Sequence, residues 1–177
     1  MRALGRASVS SFLKVILDVF NVVLWVGAAA ASLGVLAALL LSIRPDMLAS
    51  HFDIGSLKLP GQWIGPALDA LCLMGDLYLA AGIIMVGRLR RIFATLIAGD
   101  PFHPANAGRL RVIAGALAAL EVGRYVAAAI SHMVFAGALH ISGGVSLTTW
   151  FAVLVLLVLA EVFREGARLR GEAELTI

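Results

Sequence analysis

The chain has 177 residues, of which 61% are hydrophobic and 14% are charged, whereas a soluble domain usually has about 45–50% apolar and about 25% charged residues. This composition excludes a water-soluble globular domain and a disordered chain, and the single cysteine, Cys72, excludes an internal disulfide framework. The net charge of +3 is compatible with basic cytoplasmic loops. From the composition we expect an integral membrane protein that contacts the lipid bilayer and binds no nucleic acid directly.

Four apolar blocks are each long enough to cross a bilayer as a helix, which needs about 20 residues. They predict helices at about residues 10–43, 66–98, 104–136 and 145–170. The first block is too long for a signal-peptide core, and continuous apolar runs favour helices over barrel strands. The predicted fold class is all-α: one domain over residues 1–177, forming a membrane bundle of four transmembrane helices.

The distribution of Lys and Arg predicts the orientation of these helices. If both termini are cytoplasmic, three basic residues of the N-terminal segment, five of residues 88–111 and three of the tail lie inside, against two in the outer loop 44–65. Basic residues concentrate in cytoplasmic loops. The sequence therefore predicts an N-in/C-in topology in which a cytoplasmic turn joins helices two and three.

This turn has a strong local pattern. Gly99 is suited to a helix C-cap, Asp100-Pro101 to a break, and Pro104 to the first turn of the next helix. We therefore expect a rigid turn close to the inner membrane surface.

Two motifs carry a family resemblance. The first is Arg91-Ile-Phe93, Gly99-Asp-Pro-Phe102, Asn106 and Arg109-Leu-Arg111, and the second is Leu159-Ala-Glu-Val-Phe-Arg-Glu-Gly166, Leu169-Arg170 and Glu174-Leu-Thr-Ile177. Together they resemble the bacterial domain-of-unknown-function 2975 family over most of the chain. Gly171 departs from the family pattern, at a position where a better helix former is expected, and the predicted last helix ends just before it.

The resemblance implies a small four-helix protein of the bacterial inner membrane, for which no catalytic residues are established. Members of the family are often encoded beside a small helix-turn-helix regulator of the Cro/C1 type, which implies a cytoplasmic regulatory partner. We expect a docking surface formed by Arg91, Phe93, Asp100, Pro101, Phe102, Asn106, Arg164, Leu169, Leu175 and Ile177. Alternatively, the basic cluster at residues 88–91 sets the topology and contacts lipid headgroups, and the charged tail is simply a solvated helix end.

Ionisable residues inside the membrane are the second candidate site. Asp76 and Glu121 each lie about 16 Å from the inner end of their helix, and Arg124 follows Glu121 at i+3, so we expect the three to meet near mid-membrane. Asp69 is expected nearer the outer end, level with His132. We call these five residues the predicted stripe. It is either a buried ion-pair network that orients the helices or a relay or pocket for protons, cations or a ligand.

Two functions from different classes follow. The first is a non-enzymatic membrane protein that regulates or anchors the helix-turn-helix regulator, and the alternative is a small ion- or proton-coupled transporter or sensor. No nucleophile–base pair or compact His/Asp/Glu cluster is visible in the sequence, so we expect neither an enzyme nor a metal or other cofactor. Small residues on helix one, Gly27, Ala31 and Gly34, are suited to close packing within the chain or in a homo-oligomer.

Overall fold

The computed structural model describes residues 4–43, 61–134 and 144–174. These residues form four α-helices: α1 Leu4–Ile43, α2 Gly61–Ile97, α3 Ala105–Val134 and α4 Leu147–Glu174. The all-α prediction is confirmed for this part of the chain.

The fourth helix continues beyond the predicted end and includes Gly171. A glycine in a helix interior costs about 1 kcal/mol relative to alanine. On the exposed end of α4, Arg168 forms ion pairs with Glu165, at 2.7 Å, and with Glu172, at 3.6 Å. The second pair spans the glycine, and such i,i+3 and i,i+4 pairs offset part of its cost.

Each helix contains a segment long and apolar enough to cross a membrane: Val15–Leu40, Leu68–Ile97, Ala105–Met133 and Leu147–Ala173. Large apolar side chains such as Trp25, Val22 and Phe151 are exposed, while half of the buried apolar residues in the described part of the chain are alanines. Small residues at helix contacts and large apolar residues outside are typical of helices packed in lipid. The chain is therefore a multi-pass membrane protein by length, composition and burial.

The described residues belong to two compact units. Unit 1 comprises Met1–Leu24, Ala81–Ala119 and Ser146–Ile177, and unit 2 comprises Trp25–Ala80 and Leu120–Val145. The prediction of one domain over the whole chain stays a prediction.

The core of unit 1 joins three helices. Ile92 of α2, Leu110 and Ile113 of α3, and Ala160 of α4 are buried together, and Met85, Leu156 and Phe163 pack against them. This cluster fixes the end of α2, the start of α3 and the second half of α4 against one another.

Unit 2 contains close contacts between α1 and α2. A Cβ atom on Gly27 would lie 3.3 Å from Leu79 Cδ2, and one on Gly34 would lie 3.6 Å from Cys72 Sγ. The small residues predicted on helix one therefore serve packing within the chain at these two positions.

Candidate functional site

The turn between α2 and α3 is a regular helix C-cap. Gly99 has a φ of 81°, the left-handed conformation that glycine adopts without steric cost. Its N–H donates to the carbonyl of Leu96 at 3.1 Å, and the N–H of Asp100 donates to the carbonyl of Thr95 at 2.9 Å. These two bonds are the Schellman pattern, which confirms the predicted cap at Gly99.

Asn106 holds this turn from inside. Its side chain is 0% exposed, and its amide Nδ2 donates to Thr95 Oγ1 at 2.8 Å and to the Pro101 carbonyl at 3.1 Å. Its Oδ1 accepts a hydrogen bond from Arg109 Nη1 at 2.8 Å, and the same nitrogen donates to the Arg91 carbonyl at 2.9 Å. The polar groups of the buried amide are thus satisfied, as burial requires. Because Asn106 is enclosed, it organises the turn and cannot contact a partner directly, in contrast to its predicted docking role.

The turn is also attached to α4. Asp100 Oδ1 accepts from Arg170 Nη1 at 2.5 Å. The ring of Phe102 lies against the ring of Phe163, with 5.8 Å between centroids and an angle of 47° between the planes. The same ring covers Gly166. We use the name platform for the turn, residues 98–104, together with residues 164–174 of α4.

The remaining predicted docking residues lie at different places on unit 1. Arg91 and Leu169 are exposed, and Phe93 is half-buried. Arg164 is exposed and forms an ion pair with Glu161 on the same helix. Leu175 and Ile177 lie outside the described residues.

Two further ion pairs join helices of unit 1. Arg90 of α2 pairs with Asp18 of α1 at 2.5 Å, and Arg111 of α3 pairs with Glu161 of α4 at 3.4 Å. Together with the Asp100–Arg170 pair, these ion pairs connect all four helices and the α2–α3 turn within unit 1.

Unit 2 contains a compact polar cluster on α3. Glu121 is 6% exposed, and its Oε1 accepts from Arg124 Nη2 and from Tyr125 Oη, both at 2.6 Å. Arg124 Nη2 also donates to the Gly144 carbonyl at 2.5 Å, and its guanidinium lies 5.1 Å from the centre of the Tyr125 ring. The buried carboxylate is therefore paired and hydrogen-bonded, which is what makes a buried charge tolerable.

Asp76 does not join this cluster in the described structure. Its carboxylate accepts two long hydrogen bonds, at 3.4 and 3.5 Å, from Ser32 Oγ of α1. Arg124 is paired instead with Glu121, one turn away on its own helix. Asp69 is half-buried on α2, and His132 is exposed in the last turn of α3. The structure thus brings together Glu121 and Arg124 of the predicted stripe and places Asp76 beside α1.

Three side chains of these hydrogen-bond networks were not predicted from the sequence: Thr95, Tyr125 and Ser32. A signal was available for Tyr125, because it follows Glu121 at i+4, a spacing that puts two side chains on one helix face. Ser32 and Thr95 carried no such signal, because their partners are 44 and 11 residues away along the chain.

The comparisons with known proteins give one positive result. A family model described as "Protein of unknown function (DUF2975)" matches residues 45–177. No curated protein matches the chain, and no solved structure matches it.

Proposed function

The chain belongs to the DUF2975 family of proteins of unknown function, and we propose that it is a non-enzymatic protein of the bacterial inner membrane that anchors or regulates a cytoplasmic helix-turn-helix transcription regulator. The platform is the proposed docking surface. The gene neighbourhood that the family resemblance implies supports the choice of partner.

The observation that carries the proposal is that the platform is rich in charged side chains and that contacts between the turn and α4 hold it together. The apolar part of α4 ends near Phe163, so residues 164–174 project about 16 Å beyond it at 1.5 Å per residue. This projecting end carries alternating acidic and basic side chains, and the Asp100–Arg170 pair ties it to the turn. An ordered surface loses less conformational entropy on binding than a flexible one, which favours a docking role.

The proposed orientation places the platform in the cytoplasm. The basic residues are concentrated in the N-terminal segment, in residues 88–111 and in the tail, which supports an N-in/C-in topology with the α2–α3 turn inside. A soluble regulator can reach only a surface outside the lipid.

The alternative, an ion- or proton-coupled transporter, would use the charges of unit 2. Glu121 is held by Arg124 and Tyr125, which favours a structural ion pair. A cavity of about 420 Å³ in the same unit is lined by apolar residues such as Leu73, Met74, Val126 and Ile130. Apart from Ser131, the residues that line this cavity are apolar and offer no side-chain ligand for a moving cation, which supports the regulator proposal over the transporter alternative.

Co-purification tests the proposal. The full chain, extracted in detergent, is expected to retain the regulator encoded next to it. Arg168→Glu reverses a charge on a side chain that is 64% exposed, and we expect it to reduce the retained regulator at least fivefold while the chain stays in the membrane fraction.

The matched control is His132→Glu, which adds a negative charge at an exposed position of α3 near the end remote from the turn. It is expected to retain the partner. If the wild-type chain never retains the regulator, or both variants lose it equally, the regulator proposal fails and the transporter alternative gains support.

A further inference from the structure

Unit 1 contains a second cavity, of about 520 Å³, at the end of α2. It is lined by Leu17 of α1 and by Gly87, Arg90, Arg91, Phe93 and Ile97 of α2. Its walls therefore combine guanidinium groups with aliphatic and aromatic surface. The mixture differs from the lining of the unit 2 cavity, which contains no charged residue and in which Ser131 is the one residue with a polar side chain.

The position of the cavity along α2 corresponds to a membrane surface. The segment 68–87 is about 20 residues long and therefore spans about 30 Å as a helix, which matches the hydrocarbon thickness of a bilayer. Arg88, Arg90 and Arg91 follow directly. They therefore lie where the helix leaves the hydrocarbon and enters the layer of lipid headgroups.

The local charge is positive. Arg90 is neutralised by Asp18 at 2.5 Å, but within the described part of the chain neither Arg88 nor Arg91 takes part in any of the ion pairs. Asp100 and Glu161, two other carboxylates of unit 1, are paired with other arginines. An anionic ligand in the cavity would therefore meet an arginine whose charge has no acidic partner among the described side chains.

We propose that this cavity binds the phosphate headgroup of an anionic phospholipid. Arg91 contacts the phosphate, and the apolar walls at Leu17 and Gly87 contact the upper part of the acyl chains. Basic pockets between transmembrane helices at the cytoplasmic surface are suited to anionic headgroups. The inference uses a different surface and a different ligand from the proposed regulator, and it shares with that proposal only the N-in/C-in orientation.

Native mass spectrometry of the full chain in detergent tests this assignment. The chain is titrated with phosphatidylglycerol and, separately, with phosphatidylcholine carrying the same acyl chains. The wild type is expected to bind phosphatidylglycerol more tightly. Arg91→Gln is expected to weaken phosphatidylglycerol binding about fivefold, the effect of one basic residue near an anionic membrane surface, and to leave phosphatidylcholine binding unchanged.

Two further variants separate charge from folding. Arg91→Lys keeps the charge and is expected to keep most of the preference for phosphatidylglycerol. Arg168→Gln removes an arginine from the exposed end of α4, outside the cavity. It is expected to change neither the affinity for phosphatidylglycerol nor the affinity for phosphatidylcholine. Equal binding of the two lipids by the wild type, or equal losses in Arg91→Gln and Arg168→Gln, would overturn the proposal.

A competition arm identifies the source of the phosphate. Inorganic phosphate at millimolar concentration has no acyl chain and is expected to leave bound phosphatidylglycerol in place. Displacement of the lipid by inorganic phosphate would instead assign the cavity to a free phosphate compound and refute the lipid proposal.

Discussion

Gly166 of α4 lies directly beneath the ring of Phe102: a Cβ atom at Gly166 would stand 2.5 Å from Phe102 Cδ1 and 2.7 Å from Cε1. No ordinary side chain fits in that space. The absence of a side chain at this point of α4 lets the turn between α2 and α3 pack onto the helix.

We therefore expect Gly166→Ala to lower the free energy of unfolding by about 1–2 kcal/mol, because forcing a methyl group into a filled contact costs about 1–3 kcal/mol and exceeds the helix-propensity gain of about 0.5–1 kcal/mol. Reversible unfolding in detergent micelles measures the change. In a Phe102→Ala background, which removes the obstructing ring, the same substitution is expected to stabilise the chain by about 0.5–1 kcal/mol, the helix-propensity gain alone.

Gly171→Ala is the matched control on the same helix. A Cβ atom there meets nothing within 4 Å, so this substitution is expected to stabilise the chain by about 0.5–1 kcal/mol. If Gly166→Ala stabilises the chain as much as Gly171→Ala does, the contact with Phe102 is not a packing constraint.

The buried amide of Asn106 is expected to be the main hydrogen-bonding element of the turn. Asn106→Ala leaves Thr95 Oγ1 and the Pro101 carbonyl without their amide donor, and we expect a loss of about 2–3 kcal/mol in unfolding free energy. Faster proteolysis within residues 98–104 is expected to accompany it. The other asparagine of the chain, Asn21 in α1, is the control. Equal effects of the two substitutions would contradict a special role for Asn106.

The Glu121–Arg124 pair is expected to be structural. Arg124→Ala leaves a buried carboxylate without its counter-charge, and we expect a loss of about 3–5 kcal/mol. Adding Glu121→Gln removes that charge and is expected to recover part of the loss, but not all of it, because the Gly144 carbonyl still lacks its donor. Unfolding in detergent distinguishes these cases. A double variant as unstable as Arg124→Ala alone would count against the ion-pair explanation.

Tyr125→Phe tests the third member of the same cluster. The tyrosine hydroxyl donates to Glu121 Oε1 at 2.6 Å, and hydrogen bonds to charged groups contribute about 1.5–3 kcal/mol. We expect a loss in that range. Tyr78→Phe is the control, because Tyr78 is exposed. It is expected to change the free energy of unfolding by less than about 0.5 kcal/mol.

The proposed topology makes a separate prediction. Reporter fusions after residues 55 and 141 are expected to report the outer side of the membrane, and fusions after residues 100 and 177 the cytoplasm, because the basic residues are concentrated in the segments assigned to the inside. An alkaline phosphatase and a fluorescent protein reporter give complementary readouts at each position. A C-terminus outside the cytoplasm would refute the topology, and with it the accessibility of the platform to a cytoplasmic regulator.

Local pattern was sufficient to predict several features. Long apolar runs predicted four helices of membrane-spanning length, because a backbone in lipid must satisfy its own hydrogen bonds. Gly99 before Asp100-Pro101 predicted the helix cap. The i+3 spacing predicted the contact between Glu121 and Arg124, because residues three apart share one helix face.

Only the tertiary structure decided which distant residues meet. Asp76 accepts from Ser32, 44 residues away, and Asp100 pairs with Arg170, 70 residues away. Such contacts depend on the rotation of each helix about its axis and on its shift along its neighbour. An apolar sequence constrains both weakly, because most faces of these helices are compatible with lipid. For the same reason the burial of Asn106 and the fit of Phe102 on Gly166 could not be predicted from composition or spacing.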